Sequence, residues 1–209
     1  MNSTTRPPRR PRPETLARRE RILKAAMATF GTRGYHKGPL TEIADQVGMT
    51  HAGVLHHFGS KDQLLLEVLR YRDESDVKDL EGQHIPDGID LFRHLVKTAL
   101  LNAQRAGLVQ AYVVLSAESV TEGHPARDFF VDRYRTLRRE AGDAFRLVCE
   151  ERGIDAPETV DRAAASILAV MDGLQVQWLL EPEKVDLAEA SAFAIEAIMA
   201  QVLDPREVL

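Results

Sequence analysis

Three histidines and a lysine fall within eleven residues of the stretch GMTHAGVLHHFGSKDQLL: His51, His56, His57 and Lys61. Imidazoles at this density can hold a metal, move a proton or meet a polyanion. A helical metal pair needs histidines at i and i+4. Here the spacings are five, six and one residues, which point in different directions, and no cysteine or second ligand cluster lies nearby in sequence. No metal is expected. General-base chemistry needs a nucleophile and an orienting carboxylate, and no motif supplies them. The signatures G-x-S-x-G, G-x-G-x-x-G, the P-loop and H-E-x-x-H are missing, and "LSAES" is only a helical serine pair. Neither an enzyme nor a cofactor is expected. Hydrogen bonding from imidazole and ammonium groups to phosphates and base edges fits an exposed, basic surface. For His57 the alternative is a half-buried ring packed against the first helix.

Two short helices must position these groups. In "PLTEIADQVG", Leu40, Ile43, Ala44 and Val47 sit at i, i+3, i+4 and i+7, an amphipathic stripe. Pro39 suits its first position and Gly48 its stop. "GMT" is a tight link, and Thr50 can cap a second helix over 51–58. This is helix-turn-helix spacing, in which the second helix enters a DNA major groove. Val54, Leu55 and Phe58 face inward, leaving Thr50, His51, Ala52, Gly53, His56 and His57 outward. Gly53 inside a helix costs about 1 kcal/mol relative to alanine, and a close approach to a sugar-phosphate wall would offset it. Lys61 opens the next helix, aimed at a phosphate, with Ser60 and Gln63 at capping-box spacing. Ahead of the pair, Leu16, Leu23, Met27 and Phe30 form one helical face, which Gly31 and Gly34 are expected to end.

The charge is divided. Residues 1–72 hold 13 Lys+Arg and 6 Asp+Glu, a net of +7, and residues 73–209 carry a net of −12. The basic third can meet phosphate. Residues 1–13 contain four arginines, four prolines and no acid, and read as a disordered basic arm. It is either a solvated tail or an arm that follows the DNA backbone. One cysteine excludes an internal disulfide and fits a cytoplasmic home. No membrane span and no secretory signal is expected.

The remainder reads as five further helices, over about 87–106, 108–121, 125–152, 157–181 and 186–203, with no strand-like alternation. The expected fold is all-α, about nine helices, with a helix-turn-helix domain over 14–60, a connecting helix over 60–82 and a ligand-binding and dimerisation domain over 83–209. In the eighth helix Val160, Ala164, Ile167, Met171, Leu174 and Trp178 alternate steps of four and three, a heptad seam. Small residues of the last helix, among them Ala190, Ala194 and Ala197 beside Phe193, allow close approach. The two helices are expected to pair with their copies as a four-helix dimer interface; an intramolecular core is the alternative. Polar residues on otherwise apolar helices are candidates for a ligand pocket: His94, Tyr112, Ser116, Asp172 and Gln175, with Phe92, Leu95, Phe129, Leu168 and Met171 as walls.

The order of "RILKAAMATFGTRGY", "LTEIADQVGMT" and "HAGVLHHFGSKDQLLLEVL" resembles the DNA-binding domain of the TetR family of bacterial transcriptional regulators. The resemblance implies an all-helical homodimer with an N-terminal reader of double-stranded DNA and a C-terminal domain that binds a small effector and dimerises. By position it implies a DNA contact at Thr41, a recognition helix carrying Thr50, His51, Ala52, Gly53, His56 and His57, and a phosphate contact at Lys61. Two features depart from the family pattern: Leu55 stands where many members have a phosphate-touching tyrosine, and Gly38-Pro39 replaces a Thr or Ser pair. The expected function is a repressor released from a palindromic operator by a small apolar or amphipathic ligand. The alternative is a DNA-binding regulator without such an inducer, constitutive or controlled by a partner protein.

Overall fold

Side-chain caps fix where three of the helices begin. Thr50 Oγ1 accepts the Gly53 amide at 3.1 Å, Ser60 Oγ accepts the Gln63 amide at 3.1 Å, and Asp186 Oδ1 accepts those of Ala188 and Glu189 at 3.0 and 2.9 Å. Each occupies an amide that has no partner inside its own helix. The computed structural model describes residues 13–77, 85–155 and 157–205. Among these it contains nine helices and no strand: α1 (Pro13–Lys37), α2 (Leu40–Gln46), α3 (His51–Phe58), α4 (Lys61–Val77), α5 (Gly88–Asn102), α6 (Ala106–Ser119), α7 (Arg127–Glu151), α8 (Pro157–Leu180) and α9 (Leu187–Leu203). The expected basic arm, but for Pro13, and the last expected residues of the connecting helix, 78–82, lie outside the described residues.

Several boundaries differ from expectation. Pro39 precedes α2 as its cap, with ψ extended at 141°, rather than standing in the first turn. The helix expected to reach residue 106 stops at Asn102, where turn bonds from the Gln104 and Arg105 amides to the carbonyls of Leu101 and Asn102 take over. Gly31 does not end the first helix. It lies buried inside α1, where a Cβ would stand 3.0 Å from the Ala111 Cα of α6. The missing side chain lets two helix backbones cross at close range. The bend comes at Gly34, whose φ of 72° and ψ of 172° break the helical run before Tyr35.

Among the described residues, three apolar clusters hold the helices together. The first joins Ile22, Ala26 and Phe30 of α1 to Ile43, Val54, Phe58, Leu64 and Leu65, and continues into Leu115 of α6 and Phe130 of α7. The N-terminal helices therefore share a core with the helices behind them. The second joins α5, α7, α8 and α9, with the Phe92 and Phe145 ring centroids 4.4 Å apart. A third forms around Val109, Trp178 and Leu187.

These clusters redirect the heptad seam of α8. Val160, Ala164, Ile167 and Met171 are buried in the second cluster and Trp178 in the third, with Leu174 packed against it. The seam is thus an intramolecular core, not an outer interface. A four-three apolar stripe defines one face of a helix but not what covers it, and elements of the same chain cover this one. The opposite face presents Ala169, Val176 and Leu180 to the outside; on α9 Phe193 and Ala197 are exposed and Ala190 and Ala194 half-buried. Leu180 and Phe193 are each 75% exposed. Among the described residues, only Glu158–Leu180 is long and apolar enough to cross a membrane by length and composition; its inner seam belongs to the core.

Candidate DNA-contacting surface and cavity

The stripe of α2 buries Leu40, Ile43 and Ala44, which turns Thr41 outward. On α3 the burial of Val54 and Phe58 leaves His51, Ala52 and His56 exposed, with Thr50 exposed at the cap. Gly53 is half-buried. A Cβ there would lie 3.2 Å from Met49 Cε and 3.3 Å from Thr50 Oγ1, so its lack of a side chain leaves room for the cap. His57 is half-covered, with burial and then the charges of His56, Arg18 and Arg19 lowering its pKa. Arg19 of α1 donates to the His57 carbonyl. Its guanidinium also sits 4.2 Å from the Phe58 ring centroid and pairs with Glu67 of α4 at 3.1 Å. One arginine thus ties the end of α3 to the helices on either side.

Lys61 is half-buried. Its Nζ lies 4.6 Å from the Tyr35 ring centroid and 3.4 Å from the His36 carbonyl it donates to. Burial lowers its pKa, against the raising effect of Asp62 and Glu118. The ammonium therefore rests on an aromatic shelf at the edge of the reader.

A polar junction behind that shelf escaped the sequence reading. Tyr35 donates its hydroxyl to Asp62 of α4 and its backbone amide to Glu118 Oε2 of α6 at 2.7 Å. The buried His124 ring stands 5.3 Å from Tyr35 and 5.5 Å from His36, with Nε2 3.9 Å from Glu118. Its Nδ1 accepts the Ala126 amide at 3.2 Å. Burial lowers the His124 pKa, Glu118 opposes that, and the ring stays neutral at pH 7.

A cavity of about 690 Å³ opens between α4, α5, α7 and α8. Its apolar walls include Leu66, Leu91, Leu95, Phe129, Leu137 and Leu168. Its polar groups include Arg70, Asp73, His94, Thr98, Asp128, Asp132, Arg133 and Glu140. Of the ten expected pocket residues, His94, Leu95, Phe129 and Leu168 line it. Ser116 instead lines a shallower depression together with Tyr134. Phe92 and Met171 are core residues, and Gln175 is buried outside the cavity. Tyr112 and Asp172 belong to an internal ladder, in which Tyr134 donates to Asp172 Oδ2 at 2.5 Å and accepts from Tyr112 at 3.4 Å. These polar groups satisfy one another in place of a ligand. No group of His, Cys, Asp and Glu among the described residues is arranged to hold a metal.

A short helix pair with an outward polar face, carried in front of a larger helical part, defines a helix-turn-helix DNA-binding protein. Comparison narrows the class. The family described as bacterial regulatory proteins, tetR family, matches residues 22–68, and that described as BetI-type transcriptional repressor, C-terminal, matches residues 90–203. The chain belongs to the TetR family of bacterial transcriptional regulators. The HTH-type transcriptional repressor BepR of Brucella suis is 26% identical over 96% of this chain and 99% of its own. The regulator TtgR of Pseudomonas putida is 28% identical over 86% of this chain and 88% of its own. Among solved structures, a transcriptional regulator from Saccharomonospora viridis in complex with choline has a TM-score of 0.68 at 24% identity, covering 88% of this chain and 96% of its own. A SmeT–triclosan complex has a TM-score of 0.69 at 21% identity, covering 90% and 93%. Both share the fold. The relatives are named as regulators and repressors, and the family is not one of enzymes.

Proposed function

We propose that the chain is a ligand-responsive repressor that binds a palindromic operator as a homodimer and leaves it when a small apolar or amphipathic molecule fills the cavity. The observation that carries this reading is a shared helix. Leu66, Arg70 and Asp73 of the cavity wall all belong to α4, which follows α3 after only Gly59 and Ser60. An occupant that moves this wall also moves the helix to which α3 is tied. A ligand shifts DNA affinity only by its differential binding to the two arrangements, typically about 1–3 kcal/mol of coupling.

In this reading residues 14–60 read DNA, 60–82 connect, and 83–209 bind ligand and dimerise. Thr41, Thr50, His51, Ala52, His56 and Lys61 meet the operator, with Gly53 and His57 shaping α3. The exposed seam of α8 (Ala169, Val176, Leu180) and Ala190, Phe193, Ala194 and Ala197 of α9 pair with a second copy. Such a dimer would read two half-sites in successive major grooves, which on a duplex lie about 34–36 Å apart. The regulator works in the cytoplasm, where its DNA is.

Selection of binding sites from random duplex DNA, followed by mass spectrometry of what co-purifies, tests the proposal. A palindromic site released by a co-purifying compound is expected. Selected sites without two-fold symmetry, or a complex indifferent to every bound compound, would contradict it.

A further inference from the structure

We infer that the depression between α6 and α7 is a second small-molecule site, shaped for an elongated apolar chain that carries an anionic group at each end. It is separate from the cavity between α4, α5, α7 and α8, and the inference holds whatever that cavity takes. The two lie on different faces of α7. Phe129, Arg133 and Leu137 turn toward the cavity, whereas Arg127, Phe130, Val131, Tyr134 and Arg138 line the depression. Those five stand at i, i+3, i+4, i+7 and i+11, a single helical face.

The depression measures about 550 Å³, and α6 closes its other side with Ser116, Ala117, Ser119 and Val120. Its charge is the reverse of its surroundings. Residues 73–209 carry a net charge of −12, yet this concavity holds two guanidiniums and no carboxylate among its lining residues. Arg127 donates from Nη1 to the carbonyls of Ser119 and Val120, at 3.4 and 2.7 Å. Those acceptors are neutral, so its positive charge faces no acid and its other N–H groups can receive a carboxylate. Arg138 is exposed and, among the described residues, makes no hydrogen bond or ion pair.

The two arginines are the first and last residues that α7 contributes to the wall, eleven apart and so about 16 Å along the helix axis. Between them the surface is apolar and open: Val120 is 75% exposed and Val131 44%. An aliphatic chain laid over these valines takes their surface out of water. Exposed ion pairs contribute little singly, so both ends and the apolar middle must act together. A chain with one anionic head leaves one guanidinium unmatched, and a cation meets no carboxylate at all.

Dodecanedioate, dodecanoate and 1,12-diaminododecane are chains of one length that differ only in their ends, and calorimetric titration of the full chain with each tests the assignment. Dodecanedioate should bind most tightly, dodecanoate more weakly and the diamine not at all. Arg127→Gln and Arg138→Gln should each weaken dodecanedioate by about three- to fivefold, the scale of one exposed ion pair. Arg138→Gln removes no internal contact, so it tests the site even where Arg127→Gln loosens the turn after α6. No binding of dodecanedioate, equal binding of all three chains, or an affinity that Arg138→Gln leaves unchanged overturns the inference. Sedimentation of the same variants should show unaltered association. Variants that fall apart into monomers show a second copy lying over the depression, which overturns it as well.

Discussion

The Glu118 carboxylate accepts the backbone amide of Tyr35 at 2.7 Å, one residue beyond the bend at Gly34. The C-terminal end of α6 thereby grips α1 where the reader begins to turn toward α2. Gly34 is shaped to this grip: a Cβ there would lie 2.0 Å from Glu118 Oε1, and its φ of 72° is strained for any other side chain. Glu118→Ala should lower stability by about 1.5–3 kcal/mol, the range for a hydrogen bond to a charged acceptor. Urea unfolding measures that loss, and a titration with operator DNA should show weaker binding. An unchanged urea midpoint would mean that the contact holds nothing.

The crossing of α1 and α6 gives a second prediction. At Gly31 an added Cβ meets the Ala111 backbone at 3.0 Å, whereas at Gly107, also on α6, it meets nothing within 4 Å. Gly31→Ala should destabilise by about 1–3 kcal/mol through overpacking. Gly107→Ala should be neutral or stabilise by up to about 1 kcal/mol by restricting the unfolded chain. Thermal unfolding of the two variants side by side distinguishes the sites; equal effects would remove the close crossing.

At the DNA-facing surface, His51 and Lys61 should behave differently. His51→Ala should change which operator bases are preferred, by about 1–3 kcal/mol at one position. Lys61→Ala should weaken binding to all sequences alike and shallow the slope of log affinity against log salt by about one. Competition binding against single-base operator variants, repeated across salt concentrations, separates the two. A uniform loss for His51→Ala would show that it does not read bases.

Association should depend on the outer seam. Phe193→Glu places a charge on a ring that is 75% exposed in one chain, and sedimentation should then show folded monomers. Trp178→Glu places the charge in the cluster with Val109 and Leu187 and should unfold the protein. A Phe193→Glu protein that remains dimeric would move the interface elsewhere.

Acid should weaken the junction. The groups facing His124 are Glu118, Asp62, His36 and Tyr35. Burial holds the ring neutral in the fold, whereas in the unfolded chain it takes up a proton near its ordinary pKa of about 6.5. Below that pH the unfolded state binds more protons, so stability falls as pH drops, by at most about 1.4 kcal/mol per pH unit for one proton. His124→Asn, whose Oδ1 can replace Nδ1 as acceptor for the Ala126 amide, should flatten this part of the profile. Denaturant melts between pH 5 and 7.5 measure it, and identical slopes would exclude His124 as the source.

The helix pair was legible because its punctuation is local. Thr50, Gly48 and Ser60 act on their own neighbours, so spacing alone reveals them. The inner seam of α8 was legible as a stripe but not as a core, since Val160 and Ile167 meet partners far away in sequence. Tyr112 and Asp172 looked available for a ligand because Tyr134, which satisfies both, lies on another helix. Glu140 went unnoticed for the converse reason. On the charged face of α7 it reads as solvated, and only the folded chain shows that it lines a cavity. Gly31 read as a stop because a glycine at a helix crossing and one at a helix end look alike in sequence.

Arg19 has a consequence for how quickly the reader can engage. A helix as short as α3 would fray on its own in water, yet Arg19 occupies the His57 carbonyl in its last turn and covers the Phe58 ring. Much of the disorder that α3 would otherwise surrender on entering a groove is already gone before DNA arrives, which favours rapid, rigid docking over folding on contact.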